Sequence, residues 1–220
     1  MDDFSNKKVS QAVIRRLPRY YRYLTELDAA GVTKISSGEL SLRMNVTASQ
    51  IRQDFNCFGG FGQQGYGYSV QQLQLEIGRL LGISMGYSAV IIGTGNLGRA
   101  LTGSNVFIKR GITLKALFDI SPAVIGTQVG IHTVRDIATA GEYCRAEKID
   151  IAVLTLPKDA TAAAAKMMSA AGVRGFWNFS NMELKMKDES ACVENIHMGD
   201  SLMSLCYAMA DRQGGRKSGE

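Results

Sequence analysis

The stretch VIIGTGNLGRAL, residues 90–101, constrains the fold of this chain more than any other segment. An apolar run leads directly into glycines at positions 93, 95 and 98. This order is typical of a buried parallel strand, a tight glycine turn and the first turn of a helix. The three glycines let the turn close, let a ligand approach the backbone, and let the helix pack closely on the strand.

A second apolar run, LKALFD, ends at Asp119, 21 residues after Gly98. A helix N-terminus after the glycine turn offers free N–H groups and a positive dipole end to a pyrophosphate. An acid at the end of the next strand bonds the adenosine ribose hydroxyls and repels a 2′-phosphate. The combination predicts a dinucleotide site that takes NAD(H) in preference to NADP(H).

The alternation of strand and helix continues through IDIAVLTLP, ATAAAAKMMSAAG, VRGFWNFS and CVENIH. It predicts an α/β Rossmann-like, doubly wound parallel sheet, whose ligands bind beyond the carboxyl ends of the strands. The residues predicted to bind the cofactor are Gly93, Thr94, Gly95, Asn96, Leu97, Gly98, Asp119, Thr155, Leu156, Pro157, Asn178 and Ser180.

The 82 residues at the start of the chain have a different pattern. A first helical segment contains Pro18, which should start a new helix or bend this one. Ser36 with Glu39, and Thr47 with Gln50, fit capping boxes that bracket helices over about 37–43 and 48–57. Two short helices joined by a tight turn predict a helix-turn-helix, with the second helix in the DNA major groove.

The glycine-rich segment GGFGQQGYGYSV, residues 59–70, predicts a β-hairpin, and VQQLQLEIGRLLG predicts a closing helix. A hairpin after a helix-turn-helix is the wing of a winged-helix domain. Asp54 would oppose phosphate, and we expect it to face Arg52 or another cation. Basic residues cluster without intervening acids between positions 7 and 22. The residues predicted to bind DNA are Lys7, Lys8, Arg15, Arg19, Ser49, Gln50, Arg52, Gln53, Gly62, Gln63, Gln64 and Tyr66.

We therefore predict a winged-helix domain over 1–82, a Rossmann domain over 83–198, a C-terminal helix over 199–212 and a polar tail over 213–220. The four cysteines show no C-x-x-C spacing, so we expect reduced thiols and no metal site. The chain has no apolar run of about 18 residues and no apolar N-terminal signal segment, so we expect a cytoplasmic protein without membrane spans. His132 and His197 have no evident carboxylate partner, so we expect no catalytic site.

Over residues 7–212 the chain closely resembles the Rex family of bacterial redox-sensing repressors. The matching segments are RLPRYYRYL (16–24), SSGEL (36–40), QIRQDF (50–55), GGFGQQGYGY (59–68), IIGTGNLGRAL (91–101), FD (118–119), NFS (178–180) and VEN (193–195). The resemblance implies a homodimer whose C-terminal helix is swapped between subunits. It also implies binding to palindromic operators when NADH is scarce, release by NADH, and weak competition by NAD⁺.

The resemblance also implies a switch in which an arginine, matching Arg16, works with a tyrosine and an acid near the nicotinamide. Here Ser104 stands where many members carry the tyrosine, and His197 stands where many carry the acid. Two alternatives to a DNA-binding sensor remain at this point. One is a small NAD-dependent oxidoreductase, and the other is a module that binds coenzyme A or another nucleotide.

Overall fold

The computed structural model describes residues 9–57, 62–63 and 67–214. Internal contacts divide the chain into two compact units, residues 1–85 and 86–220. The division falls three residues after the predicted boundary, because a 3-10 turn at Ile83–Met85 continues from the last helix of the first unit. Within the described residues, no helix is long and apolar enough to cross a bilayer.

The first unit combines helices with a small sheet. Its elements in chain order are α1 Gln11–Ile14, α2 Leu17–Ala29, β1 Lys34–Ile35, α3 Ser37–Met44, α4 Ala48–Asn56, β2 Gly62–Gln63, β3 Gly67–Ser69 and α5 Val70–Leu80. Pro18 lies in the first turn of α2, where its missing N–H leaves no helical hydrogen bond unmade. The predicted break before α2 is therefore present.

The helix-turn-helix is formed by α3 and α4. The Ser36 side chain accepts from Glu39 N, and the Glu39 carboxylate accepts from Ser36 N, which completes the first predicted capping box. Asn45 ends α3 in the left-handed conformation, with φ of 51°, and this turns the chain toward α4. The two helices pack on α2 and α5 through a core that includes Leu40 and Ile51.

The hairpin of β2 and β3 is antiparallel, and β1 adds a third strand on the other side of β3. The sequence did not predict β1, because a strand of two residues carries no periodic pattern. Gly67 is required in β3, since its φ is +72° and an added Cβ would lie 2.8 Å from the Ile35 carbonyl oxygen.

The second unit alternates strands and helices. Its elements are β4 Ser88–Ile92, α6 Asn96–Gly103, β5 Thr113–Asp119, β6 Gln128–Val129, β7 His132–Asp136, α7 Ala140–Ala146, β8 Ile151–Leu154, α8 Lys158–Ala170, β9 Gly175–Asn178, β10 Cys192–Asn195 and α9 Met198–Gly214. They form a seven-stranded sheet in the order β10-β9-β8-β4-β5-β7-β6.

All neighbouring strands are parallel except β6, which pairs antiparallel with β7. Alternate residues of β4 contribute to two separate cores, one containing Val90 and Ile92 and the other Ala89 and Ile91. The sheet is therefore covered on both faces, as a doubly wound fold requires. The carboxyl ends of β4, β5, β8 and β9 lie along one edge of this sheet.

The last helix, α9, differs from the others because its apolar residues are exposed. Leu202, Met203, Leu205 and Met209 are 61%, 65%, 55% and 54% exposed. Isolated apolar residues on a surface are ordinary. Several exposed apolar residues on one helix are typical of a surface that packs against another protein surface.

Candidate functional site

The glycine turn after β4 is built by close packing of backbone. Gly93 has φ of +99°, and an added Cβ would lie 2.6 Å from the Thr155 carbonyl oxygen. A Cβ on Gly98 would collide with the Gly93 carbonyl oxygen. A Cβ added to Gly95 would meet no atom within 4 Å, and this residue caps the exposed N-terminus of α6. Gly93 and Gly98 therefore permit close packing, while Gly95 leaves the N-terminus of α6 open.

Asp119, the last residue of β5, supports this turn. Its Oδ2 accepts from Thr94 N at 2.6 Å and from Thr94 Oγ1 at 2.8 Å, and its Oδ1 accepts from Ser121 N at 2.9 Å. Burial alone would raise the pKa of Asp119, but these hydrogen bonds outweigh it and lower the pKa. The group is therefore ionised, and within the described residues no lysine or arginine pairs with it.

The residues that follow β8 contact the glycine turn. The Thr155 hydroxyl donates to the Gly93 carbonyl at 2.6 Å, and Leu156 lies against Gly93. Pro157 is exposed and caps α8. Thr155 and Leu156 thus lie at the glycine turn, whereas Pro157 lies at the start of α8.

Asn178, the last residue of β9, is held by hydrogen bonds within the protein. Its side chain donates to Met182 O and Asn195 Oδ1, and its Oδ1 accepts from Ser180 N and Ser180 Oγ. Its hydrogen-bonding capacity is thus used within the protein, and it is fully buried. The amide braces the loop after β9, and Ser180 belongs to the same network, while the cofactor contacts of both residues stay predictions.

Sequence reasoning missed Arg99 in this site. Its Nε donates to the Thr94 carbonyl at 3.0 Å, so its guanidinium lies beside the glycine turn. A cation next to a helix N-terminus favours an anionic ligand. The available signal was the arginine directly after the third glycine.

In the first unit, the exposed face of α4 carries Ser49, Arg52 and Gln53. Arg52 Nη1 donates to Ser37 Oγ at 3.1 Å, which holds the guanidinium against the start of α3. Arg15 and Arg19 are also exposed, on the neighbouring α1 and α2 region. These five side chains are polar or basic and exposed, as contacts to DNA require.

Gln50 departs from the prediction in two ways. The Thr47 side chain accepts from Gln50 N, but the Gln50 side chain does not return to Thr47, so the second capping box is incomplete. Instead Gln50 Nε2 donates to Asp54 Oδ1 at 2.8 Å. A side chain committed inward in this way is a weaker candidate for reading a base.

Asp54 faces a cation, as predicted, but that cation is Arg16 and not Arg52. Arg16 Nε and Nη2 each lie 2.7 Å from one carboxylate oxygen. The hydroxyl of Tyr20 donates to Oδ2 at 2.8 Å. Burial alone would raise the pKa of Asp54, but the hydrogen bonds from Arg16, Tyr20 and Gln50 lower it.

Several predicted DNA contacts cannot be placed. Lys7, Lys8, Gln64 and Tyr66 lie outside the described residues. Gly62 and Gln63 form β2, and only their backbone is described.

Two of the predicted switch residues lie in the second unit. Ser104 is exposed and ends α6, where its hydroxyl donates to Leu101 O at 2.7 Å. The segment CVENIH was expected to form the last strand through His197, and that bound is wrong. The sequence showed no evident carboxylate partner for His197, and the structure supplies one. The strand ends at Asn195, because the chain turns there to begin α9, and His197 Nε2 lies 3.1 Å from Glu183 Oε2.

The other histidine, His132, begins β7, and burial lowers its pKa. Among the described residues, no cluster of three or more histidine, cysteine or acidic side chains is arranged to hold a metal ion.

Comparison with known proteins assigns both units. Residues 8–56 match the family model described as "Putative DNA-binding protein N-terminus", and residues 86–182 match the model described as "CoA binding domain". The redox-sensing transcriptional repressor Rex of Thermoanaerobacter pseudethanolicus is 48% identical over 206 residues, covering 94% of this chain and 92% of that protein. The Rex protein of Clostridioides difficile is 46% identical, covering 94% and 98%.

Solved structures agree with these relatives. A crystal structure of RSP in complex with β-NAD⁺ and operator DNA matches with a TM-score of 0.87 and 45% identity, covering 95% of this chain and 96% of that one. RSP in complex with β-NADH matches with a TM-score of 0.87 and 42% identity, covering 96% and 98%. RSP itself is described as a Rex-family repressor. By sequence and fold over nearly its whole length, this chain belongs to the Rex family of redox-sensing transcriptional repressors.

Proposed function

We propose that this protein is a cytoplasmic transcriptional repressor that binds palindromic operator DNA and is released from it by NADH, so that it responds to the NADH/NAD⁺ ratio. The observation that carries the proposal is the presence, in one chain, of an exposed helix-turn-helix and of a glycine turn with Asp119 beside it. Family membership supports both halves of the proposal, because RSP has been crystallised with NAD⁺ and operator DNA and with NADH.

The cofactor of this proposal is NAD(H). Backbone N–H groups of the turn and of the α6 N-terminus, around Gly95 and Asn96, would receive the pyrophosphate, and Thr94 and Leu97 shape the turn. Asp119 would accept hydrogen bonds from the adenosine ribose and disfavour a 2′-phosphate. Although the family model over this region names coenzyme A, a carboxylate at the end of β5 that no cation neutralises within the described residues favours a ligand with free ribose hydroxyls at this point.

The DNA interface of this proposal is centred on α4. Arg52 and Gln53 would read base edges, since arginine suits guanine and glutamine suits adenine in bidentate geometry. Ser49 would assist them. Arg15, Arg19 and the wing would hold phosphates, which fixes the register of the protein on the duplex. Lys7, Lys8, Gly62, Gln63, Gln64 and Tyr66 stay predictions of the same kind.

The proposed assembly is a homodimer. A palindromic operator presents two equivalent half-sites, and a two-fold symmetric protein matches them. The exposed apolar residues of α9 support exchange of this helix between subunits, since a partner surface would cover Leu202, Leu205 and Met209.

The proposed switch involves Arg16, Ser104 and His197. Release by NADH requires that NADH bind the DNA-incompetent arrangement more tightly than the competent one. In this chain His197 contacts Glu183, so a carboxylate is available next to the position where many family members carry an acid.

A direct test is titration of the full chain on a DNA duplex that it has selected from a random-sequence pool, with and without NADH. We expect NADH to weaken binding by about 5- to 150-fold, and NADPH at equal concentration to have a smaller effect. Failure to select any duplex would contradict DNA binding. Selection of a duplex whose affinity ignores NADH would contradict redox sensing.

A further inference from the structure

The most buried charged group in the described part of the first unit is the carboxylate of Asp54, whose side chain is 1% exposed. It accepts four hydrogen bonds. Oδ1 accepts from Arg16 Nη2 at 2.7 Å and Gln50 Nε2 at 2.8 Å, and Oδ2 accepts from Arg16 Nε at 2.7 Å and Tyr20 Oη at 2.8 Å. All four lone-pair positions of the carboxylate are thus used, and none is left for an outside ligand.

Three of these four bonds, from Arg16 and Tyr20, join two distant parts of the chain. Arg16 lies at the break between α1 and α2, and Tyr20 lies in α2 one turn later. Asp54 and Gln50 lie one turn apart in α4, whose exposed side carries Arg52 and Gln53. The carboxylate therefore ties the proposed recognition helix to the α1–α2 junction.

The geometry of this tie is directional. An arginine fork and a carboxylate meet through two parallel hydrogen bonds, which fix the relative orientation as well as the distance. Neighbouring core contacts, such as Ile51 and the edge-to-face pair of Tyr20 and Phe55 at 5.1 Å, fill space but permit small rotations. The Asp54 carboxylate therefore adds a directional constraint on the orientation of α4 to the packing of the apolar core.

The hydrogen bonds to Asp54 also engage most of the Arg16 guanidinium. Both of its inward nitrogen atoms are bound to Asp54, and the side chain is 29% exposed. Arg19 and Arg15, by contrast, are exposed on the same stretch of chain. A basic residue already paired in this way has little charge to offer a phosphate.

We propose that Asp54 is a positioning residue for the recognition helix, and that Arg16 supports sequence-specific DNA binding through Asp54 without contacting DNA itself. The inference rests on the proposed DNA binding and adds to it an internal determinant of specificity. Its consequence is that loss of Arg16 should reduce binding to the preferred sequence, while general attraction to phosphates stays.

The test is a double-mutant cycle in the full chain, with Arg16→Met, Asp54→Asn and the double variant. The probes are a duplex selected by the wild type from a random pool and a scrambled duplex of equal length. We expect Arg16→Met alone to lower the affinity for the selected duplex at least about tenfold. The affinity for the scrambled duplex should fall less than about threefold. In the Asp54→Asn background, Arg16→Met should cost less than about threefold, because no buried carboxylate is left unpaired.

The dependence on salt separates the proposal from direct contact. Arg19→Met is the control, since Arg19 is exposed on the same helix, and its loss should weaken both duplexes and reduce the salt slope by about one. Arg16→Met should leave the slope unchanged. An equal cost of Arg16→Met in both Asp54 backgrounds, with a slope reduced by about one, would overturn the proposal.

A milder variant keeps the test decisive if Arg16→Met fails to fold. Arg16→Lys retains the charge but not the fork, so we expect it to lower the ratio of selected to scrambled affinity by about threefold or more. An unchanged ratio in folded Arg16→Lys and folded Asp54→Asn would overturn the proposal. If the wild type selects no duplex, the proposed function itself has failed, and that outcome is distinct from either result.

Discussion

Asp54 in the first unit and Asp119 in the second are both carboxylates that accept several hydrogen bonds, yet they differ in how their negative charge is compensated. Asp54 is paired with a guanidinium, so its charge is compensated inside the protein. Asp119 is held by hydroxyl and backbone N–H donors alone, so its charge is not neutralised by a cation within the described residues. The comparison teaches that the charge of Asp54 is compensated within the protein, whereas the charge of Asp119 is stabilised by neutral donors alone.

The largest expected effect concerns the neutralised group. Arg16→Met leaves the Asp54 carboxylate buried without its cation, which should lower the free energy of unfolding of the first unit by about 3 kcal/mol. Urea unfolding followed by circular dichroism measures the loss, while fluorescence of Trp177, the one tryptophan of the chain, follows the second unit. Arg15→Met, at an exposed position, should cost less than about 0.5 kcal/mol. Equal small losses in both variants would show that the Asp54 pair does not stabilise the fold.

The next effect concerns the other carboxylate. Asp119→Asn should weaken NADH binding by about 1.5–3 kcal/mol, the value of a hydrogen bond to a charged group. NADPH should lose less, because the substitution also removes repulsion of the 2′-phosphate. Calorimetry measures both affinities, and Asp188→Asn serves as a control, since that acid is paired with Arg174 and Ser190. Unchanged NADH affinity in Asp119→Asn would show that Asp119 does not bind the cofactor.

A third prediction separates packing from ligand contact at the glycine turn. Gly98→Ala should lower the stability of the second unit by about 1–3 kcal/mol, because its Cβ would collide with the Gly93 carbonyl oxygen. Gly95→Ala should lower the free energy of unfolding by less than about 0.5 kcal/mol, since the space beside Gly95 is open. The same substitution should lower the affinity for NADH. Trp177 fluorescence during urea unfolding and NADH titration measure the two effects. The interpretation of Gly95 is wrong if its substitution leaves NADH affinity intact.

The smallest effect is a dependence on acid. Burial alone would raise the pKa of each carboxylate, but hydrogen bonds outweigh it, so both pKa values are lowered. A lowered pKa contributes stability above the unfolded value of about 3.9, and that stability is lost as the pH falls through the folded value. Both units should therefore lose stability below about pH 4. Asp54→Asn should flatten this loss for the first unit alone, and Asp119→Asn for the second alone, in unfolding experiments at several pH values.

Much of the fold could be predicted because local patterns and tertiary contacts agree. The Ser36 capping box spans three residues, and the glycine turn lies directly between a strand and the helix that follows it, so both could be predicted from local sequence. The helix-turn-helix was predictable for the same reason, since caps and a tight turn are local features.

The partners of individual side chains were less predictable. Asp54 meets Arg16 across 38 residues, and Asn178 meets Asn195 across 17. Nothing in the sequence distinguishes an inward amide from one that faces a ligand, so the hydrogen bonds that Gln50 and Asn178 make within the protein could not be predicted. His197 was misjudged because Glu183, its partner, precedes the strand that leads to it.

The central claim is that one chain couples operator binding to NADH binding, and reciprocity tests it most directly. The measurement is the NADH affinity of the full chain with and without a saturating amount of the selected duplex. Linkage requires bound duplex to lower the NADH affinity by the same factor by which NADH lowers the affinity for the duplex. We expect this factor to be about 5 to 150. An NADH affinity that is identical with and without bound duplex would contradict the account.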